Sequence, residues 1–230
     1  SLLPEREPCM ESERARLRSN LEKIEERILR ACRKYGRARE SVRLVAVTKT
    51  HPIETVQALI DIGVREIGEN RVQEMASKVP HLTGDFTMHM IGHLQTNKVA
   101  QALACAQWIQ SIDRVRLVER IEQCHRGGEK VHALVEVNTS GEASKSGVAP
   151  EACRQLCERV AASRSLVLRG LMTIGPLGGG EADARKCFSI LRGLGESITD
   201  LVAEPVLSMG MSDDLEWAVA EGSTMVRVGT

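Results

Sequence analysis

From residue 43 to its end the sequence keeps one rhythm: a short apolar run, a polar turn, then an amphipathic stretch with helical spacing. Strand-like runs fall at 43–48, 64–68, 87–91, 108–112, 131–138, 168–174, 205–209 and 225–228. Helical patterns occupy 53–62, 71–78, 97–105, 114–124, 150–162, 181–197 and 213–221. Strands separated by helices pair in parallel, because the return crossover needs a dozen or more residues. Eight strands let such a sheet close on itself, so the pattern predicts an α/β fold, a (β/α)8 TIM-type barrel. An open doubly wound sheet is the competing arrangement, but no GxGxxG follows the first strand. A further helix precedes the barrel over 11–35, where Leu17, Leu21, Ile24, Ile28 and Leu29 recur at helical spacing and Gly36 supplies a stop. We expect one domain over residues 1–230, with the glycine-rich 175–180 only the loop after strand six.

Hydrophobic residues make up 42% and aromatics only 2%, so the core must come from Val, Leu, Ile, Ala and Met. That composition suits the branched, layered interior of a barrel. The 31 basic and 31 acidic residues cancel, and no aromatic-interleaved basic stripe points to nucleic acid. No apolar run is long enough to span a bilayer and no signal-peptide pattern appears, so a cytoplasmic protein is expected. The seven cysteines form no CxxC pair and no framework spacing. They read as reduced thiols, and no metal site is expected.

In barrels of this kind the chemistry lies at the C-terminal ends of the strands. The first strand reads RLVAVTK, and alternation puts Val45, Val47 and Lys49 on one face. If the valines point inward, Lys49 stands at the mouth above an apolar floor. Partial desolvation there lowers an amine's pKa and makes it a nucleophile toward carbonyls. The bland alternative is a strand-end lysine reaching into water, the commoner fate of lysine. Strands seven and eight run into Ser208-Met209-Gly210-Met211-Ser212 and Arg227-Val228-Gly229-Thr230. Each end pairs a glycine, which lets backbone approach an anion, with a hydroxyl, and barrels often hold phosphate at these two loops. Ser212 is a candidate N-cap for a helix beginning near Asp213, whose dipole would favour an anion. Ordinary turn chemistry is the alternative for both loops. Together, a strand-one lysine and an opposing phosphate nest suit a phosphorylated aldehyde.

The segments AVTKTHP, IGENRVQE, HMIGHLQTNK, SIDR, NTSGEASKSG, RGLMTIG and LSMGMSDDLEWAVAEGSTMVRVGT together resemble the YggS/PROSC family of pyridoxal phosphate homeostasis proteins. That family is related to the barrel domain of alanine racemase, and the resemblance covers residues 43–230. It implies pyridoxal 5′-phosphate (PLP) as cofactor, held as a Schiff base on Lys49, with Asn70 beside the ring. It also implies Ser208 and Gly210, with Gly229 and Thr230, at the phosphate, and Arg227 at the pyridine nitrogen. The pattern agrees on Arg227, since Met225, Arg227 and Gly229 share one face of strand eight. A guanidinium there disfavours ring-nitrogen protonation and weakens the cofactor as an electron sink. A salt bridge to a neighbouring carboxylate is the alternative for Arg227. The family pattern continues past Gly229-Thr230 with an apolar segment and a helix that this sequence does not contain.

Other motif residues carry weaker signals. His89 and His93 flank strand three and read as hydrogen-bonded structural residues before they read as bases. Asn138, Ser144 and Lys145 follow strand five in a loop able to close over the mouth. Asp213 and Asp214 suit the first turn of the last helix. Met172 and Thr173 either floor the ring or pack in the core.

The function so implied is a cytoplasmic PLP-binding protein of vitamin B6 homeostasis, not an enzyme, with PLP-requiring apoenzymes as recipients. The alternative is a PLP-dependent racemase or decarboxylase. Racemisation needs two bases on opposite sides of the substrate carbon. Lys49 is the single candidate, and no segment for a second domain follows strand eight. A cofactor-independent Schiff-base aldolase is a third class that the family motifs oppose.

Overall fold

The computed structural model describes residues 6–143 and 146–230, so Ser144 and Lys145 lie outside the described residues. Eight parallel strands close into a barrel in sequence order. They are β1 (Arg43–Val47), β2 (Glu66–Glu69), β3 (Thr87–Met90), β4 (Trp108–Ile112), β5 (Val131–Glu136), β6 (Leu166–Met172), β7 (Val206–Ser208) and β8 (Met225–Gly229). The long helix α1 (Arg6–Lys34) comes first. Seven crossover helices follow in turn: α2 (Ile53–Asp61), α3 (Val72–Lys78), α4 (Val99–Cys105), α5 (Val115–Cys124), α6 (Cys153–Ala161), α7 (Glu181–Ser197) and α8 (Leu215–Ala220). The barrel closes where β1 pairs with β8, from Arg43 opposite Met225 to Val47 opposite Gly229.

The aliphatic residues fill two layers. The larger lies between the sheet and the ring of helices and includes Ile67, Met88, Ile109, Leu117, Leu171, Phe188 and Leu207. The second lies inside the barrel, where Val45, Val47, Ile91, Trp108, Leu134, Met172 and Met225 meet. The period-two reading of β1 therefore holds, with both valines pointing inward. Helix α1 covers the outer wall where the barrel closes: Ile24, Ile28 and Cys32 pack on Leu215, Val219, Val226 and Val228. Beside that apolar seam, Arg27 Nε meets Glu216 Oε1 at 2.7 Å.

The floor of the barrel, at the N-terminal ends of the strands, is polar. Gln110 Nε2 lies 3.0 Å from His89 Nδ1, and His89 Nε2 lies 3.1 Å from Glu66 Oε1. The amide donates, so His89 is neutral with its proton on Nε2, directed at Glu66. Burial pushes the His89 pKa down, in the same sense. Arg43 pairs with Glu66 and lies 4.8 Å over the Trp108 ring. His89 is thus a structural residue of the floor.

Of the boundaries that differ from the sequence expectation, three bear on the site. Strand β6 begins at Leu166, which pairs with Val131, and its register with β5 shifts further on, between Ala133 and Leu134. At that irregularity Gly170 adopts φ +155, and a Cβ on it would lie 2.0 Å from the Val206 carbonyl oxygen. Strand β5 ends at Glu136, and beyond it Val137 makes only an isolated bridge to Val148. Helix α8 begins at Leu215, two residues after Asp213, with Asp214 in the N-cap position. Ser212 is therefore no N-cap; its carbonyl accepts from Arg27 Nη2 at 2.7 Å.

Candidate functional site

At the end of β1 the chain leaves the sheet through Thr48, Lys49 and Thr50. Thr48 is buried, while Lys49 is exposed and makes no hydrogen bond or ion pair with a described residue. The apolar floor expected beneath Lys49 exists in Val45 and Val47, but the amine itself stands above it in the open. The desolvation expected for Lys49 is accordingly not supplied by the protein alone. Thr50 has φ +65, the one positive value among described non-glycine residues. This backbone is costly for a β-branched residue and persists only where its surroundings hold it.

Those surroundings are a buried ion cluster on the outer side of the turn. Lys78, only 5% exposed, sends Nζ to the Thr48 carbonyl at 2.9 Å, Glu69 Oε1 at 2.8 Å and Glu74 Oε1 at 2.9 Å. The Thr48 hydroxyl donates to the same Glu69 oxygen at 2.6 Å. The Thr50 N–H donates to Glu74. Burial alone would raise the Glu74 carboxyl, but bonds from Lys78 and Thr50 outweigh it and hold the group ionised.

Across the mouth, register aligns Glu136 with Met172, Met172 with Ser208 and Ser208 with Met225. Ser208 is fully buried. Its hydroxyl donates to Gln110 Oε1 at 2.6 Å and accepts from Arg227 Nη1 at 2.7 Å. Arg227 Nη2 donates to the Thr173 carbonyl at 3.0 Å. Burial brings the Arg227 pKa down to about 10, with Glu136 and Asp214 opposing, so the guanidinium keeps its charge. Neither carboxylate is within ion-pair distance of it; serine and backbone oxygens hold it instead. Burial also raises the Glu136 carboxyl against the hydrogen bond from Ser146 at 2.8 Å. Glu136 lines a cavity of about 270 Å³ with Val137, Asn138, Thr139, Ser146, Ile174 and Leu177.

The loops after β7 and β8 meet beside this rung, where the Arg227 N–H donates to the Gly210 carbonyl at 2.9 Å. Among the described residues, the backbone N–H groups of Gly210 and Thr230 have no backbone partner. The Thr230 hydroxyl is buried and also lacks a partner. A Cβ on Gly229 would meet nothing within 4 Å, so this glycine faces open space. Asn70 follows β2, and Gly92 lets the next loop pass close to it, since a Cβ there would lie 2.0 Å from the Asn70 carbonyl oxygen.

Lys49, Gly210, Arg227, Gly229 and Thr230 thus gather where β7, β8 and β1 adjoin, while Asn70 stands across β1 on the far side of Lys49. Ser208 gives its one proton to Gln110 and accepts from Arg227 within the barrel. Gln110, Glu136 and Lys78 were not singled out by sequence; only the tertiary register marks them. A cavity of about 790 Å³ lies aside from this cluster, between the loop after β5 and α7.

The donors gathered here suit a small ligand with an anionic end and a carbonyl. Unpartnered amides, an unpartnered hydroxyl and an open glycine offer anion contacts, and the nearby amine is unengaged.

Residues 16–230 match the family described as alanine racemase, N-terminal domain. The pyridoxal phosphate homeostasis protein of Pseudomonas aeruginosa is 41% identical over 214 residues, covering 92% of each chain. That of Aquifex aeolicus is 39% identical over 214 residues, covering 91% of this chain and 94% of its own. PipY of Synechococcus elongatus, solved with PLP bound, superposes with a TM-score of 0.77 at 34% identity, over 90% of this chain and 97% of its own. An alanine racemase from Corynebacterium glutamicum shares the fold at a TM-score of 0.66 with 14% identity, over 90% of this chain and 59% of its own. By sequence over nine-tenths of its length, the chain belongs to the alanine racemase N-terminal domain family and, within it, to the pyridoxal phosphate homeostasis proteins.

Proposed function

We propose that this chain binds PLP at the barrel mouth and serves intracellular vitamin B6 homeostasis by holding the cofactor for PLP-requiring apoenzymes. Lys49 supplies the amine for covalent attachment. Gly210, Gly229 and Thr230 hold the phosphate through backbone N–H groups and the Thr230 hydroxyl. Ser208 serves this set through Arg227, whose guanidinium faces the ring nitrogen. Asn70 lies beside the ring. Bound there, PLP supplies an aldehyde carbon open to attack by an amine. One observation carries the reading: a free Lys49 amine shares the mouth with a fixed, buried guanidinium and two loops with unpartnered amide donors. The pyridoxal phosphate homeostasis relatives, and PipY with PLP bound, support it.

We also propose that the role is not catalytic. A guanidinium at the pyridine nitrogen disfavours the protonated ring that stabilises a substrate carbanion. The test of the whole reading is an absorbance spectrum with and without added PLP, followed by borohydride reduction and peptide mapping. The protein should turn yellow, with reduction fixing the label to the Lys49 peptide, and Lys49→Ala should stay folded and colourless. Labelling of Lys98 or Lys145 in its place would overturn the assignment.

A further inference from the structure

We propose that Lys78 is a positioning residue for cofactor attachment, setting the backbone turn that carries Lys49. The inference rests on the reading of Lys49 as the attachment point. Lys78 is a charged residue buried on an outer helix, and all three of its ammonium protons are engaged. All three of its acceptors lead to the residues flanking Lys49. One is the Thr48 carbonyl itself, at 2.9 Å. Another is Glu74 Oε1, which also takes the Thr50 N–H. The third, Glu69 Oε1, receives the Thr48 hydroxyl. The cluster thus grips the chain one residue before and one residue after Lys49, and pins Thr50 at φ +65.

Burying an ammonium costs several kcal/mol unless its partners are well placed. A cluster of this kind rarely adds net stability over an apolar replacement, and its better-attested use is to fix one geometry. Here the geometry fixed is that of the turn bearing an exposed, otherwise unsupported side chain. Attachment requires the Lys49 amine to attack an aldehyde carbon, forming one C=N double bond and releasing one water. The rate and affinity of that step depend on placing the nitrogen within bonding reach, and a displacement near 1 Å costs on the order of a hundredfold. Lys78 has no free proton or lone pair for the chemistry, so its influence passes through the Thr48–Thr50 backbone alone.

The experiment compares wild type, Lys78→Met and Glu74→Ala for binding of two ligands. One is PLP, and the other is pyridoxine 5′-phosphate, which has the same ring and phosphate but no aldehyde. Lys78→Met should weaken apparent PLP affinity and slow the rise of the attachment absorbance about tenfold or more, with pyridoxine phosphate affinity unchanged. Glu74→Ala removes the Thr50 contact and one of the three Lys78 acceptors but keeps both contacts to the Thr48 side, and should show the same selectivity at smaller size. It keeps the proposal testable if Lys78→Met does not fold. Equal loss of both ligands, or no loss of either, overturns the positioning role. Borohydride labelling of Lys78 does so as well. If wild type forms no reducible adduct at Lys49, the underlying reading fails first, and that outcome is visible before any variant is compared.

Discussion

Arg227 Nη1 reaches Ser208 Oγ at 2.7 Å inside the barrel, and this contact decides what the serine can do. The hydroxyl already donates to Gln110, so it fixes the guanidinium and has no proton left for a phosphate. Removing it leaves a fully buried cation short of one acceptor. A hydrogen bond to a charged group is worth about 1.5–3 kcal/mol, so Ser208→Ala should lower Tm by several degrees. Competition by inorganic phosphate against PLP should be unchanged. A variant with native Tm but tenfold weaker phosphate competition would place the hydroxyl on the anion after all.

The two glycines of the phosphate loops should respond oppositely. Gly229 faces open space and its φ is not positive, so Gly229→Val should fold with little change in Tm. Its branched side chain then occupies the approach to the Thr230 amide, and PLP affinity should fall tenfold or more, about 1.4 kcal/mol. Gly210 has φ +105, and a Cβ there would lie 2.7 Å from Ala218 Cβ. Gly210→Ala should therefore cost about 1–3 kcal/mol of stability, seen in urea unfolding before any ligand is added. Similar Tm losses in both variants would mean that Gly229 is a packing residue.

The barrel was legible because its signals are local. Each strand is a short apolar run with period two or continuous burial, and each helix carries its own stripe. The loops that meet at the mouth also carried glycine and hydroxyl signatures readable in place. What sequence could not show is which distant residues a strand turns toward each other. Ser208 meets Gln110 across 98 positions, and no local pattern relates SMG to WIQSI. Glu136 reads as a polar strand residue until the register sets it on one rung with Met172 and Ser208. Lys78 reads as the exposed charge of a short amphipathic helix. It is buried instead against Thr48, Glu69 and Glu74, and the positive φ of Thr50 is invisible in the alternation that located Lys49.

A non-catalytic site predicts silence in a turnover screen. General acid–base chemistry at an amino acid's α-carbon needs a positioned group beyond the attachment lysine. With the standard amino acids, the PLP-loaded protein should show no chiral inversion or carbon dioxide release above the Lys49→Ala background. Robust turnover that Lys49→Ala abolishes would return the chain to the racemase and decarboxylase class.

The floor and the mouth should pull acid stability in opposite directions. Burial pushes the Glu66 carboxyl up, but bonds from His89 and Arg43 bring it from 4.5 to about 2. Because the folded value is depressed, its stabilisation is complete above pH 4.5 and is lost as pH falls toward 2, on the order of 3 kcal/mol in all. His89 acts in the same direction over a higher range. Burial holds it neutral in the fold, so the unfolded chain gains its proton first as pH drops below 6.5. Glu136 has the opposite sign: its carboxyl is raised from 4.5, so its contribution is present at low pH and is lost as pH rises through the folded value. Urea unfolding from pH 3 to 8 separates the three. Wild type should lose stability steadily on acidification. Glu66→Gln should be destabilised near neutrality, with a flatter slope below pH 4.5. Glu136→Gln should fare better relative to wild type at pH 7 than at pH 4, because the amide carries no buried charge to desolvate. Parallel curves for all three proteins would show that neither carboxylate titrates differently in the folded and unfolded chains.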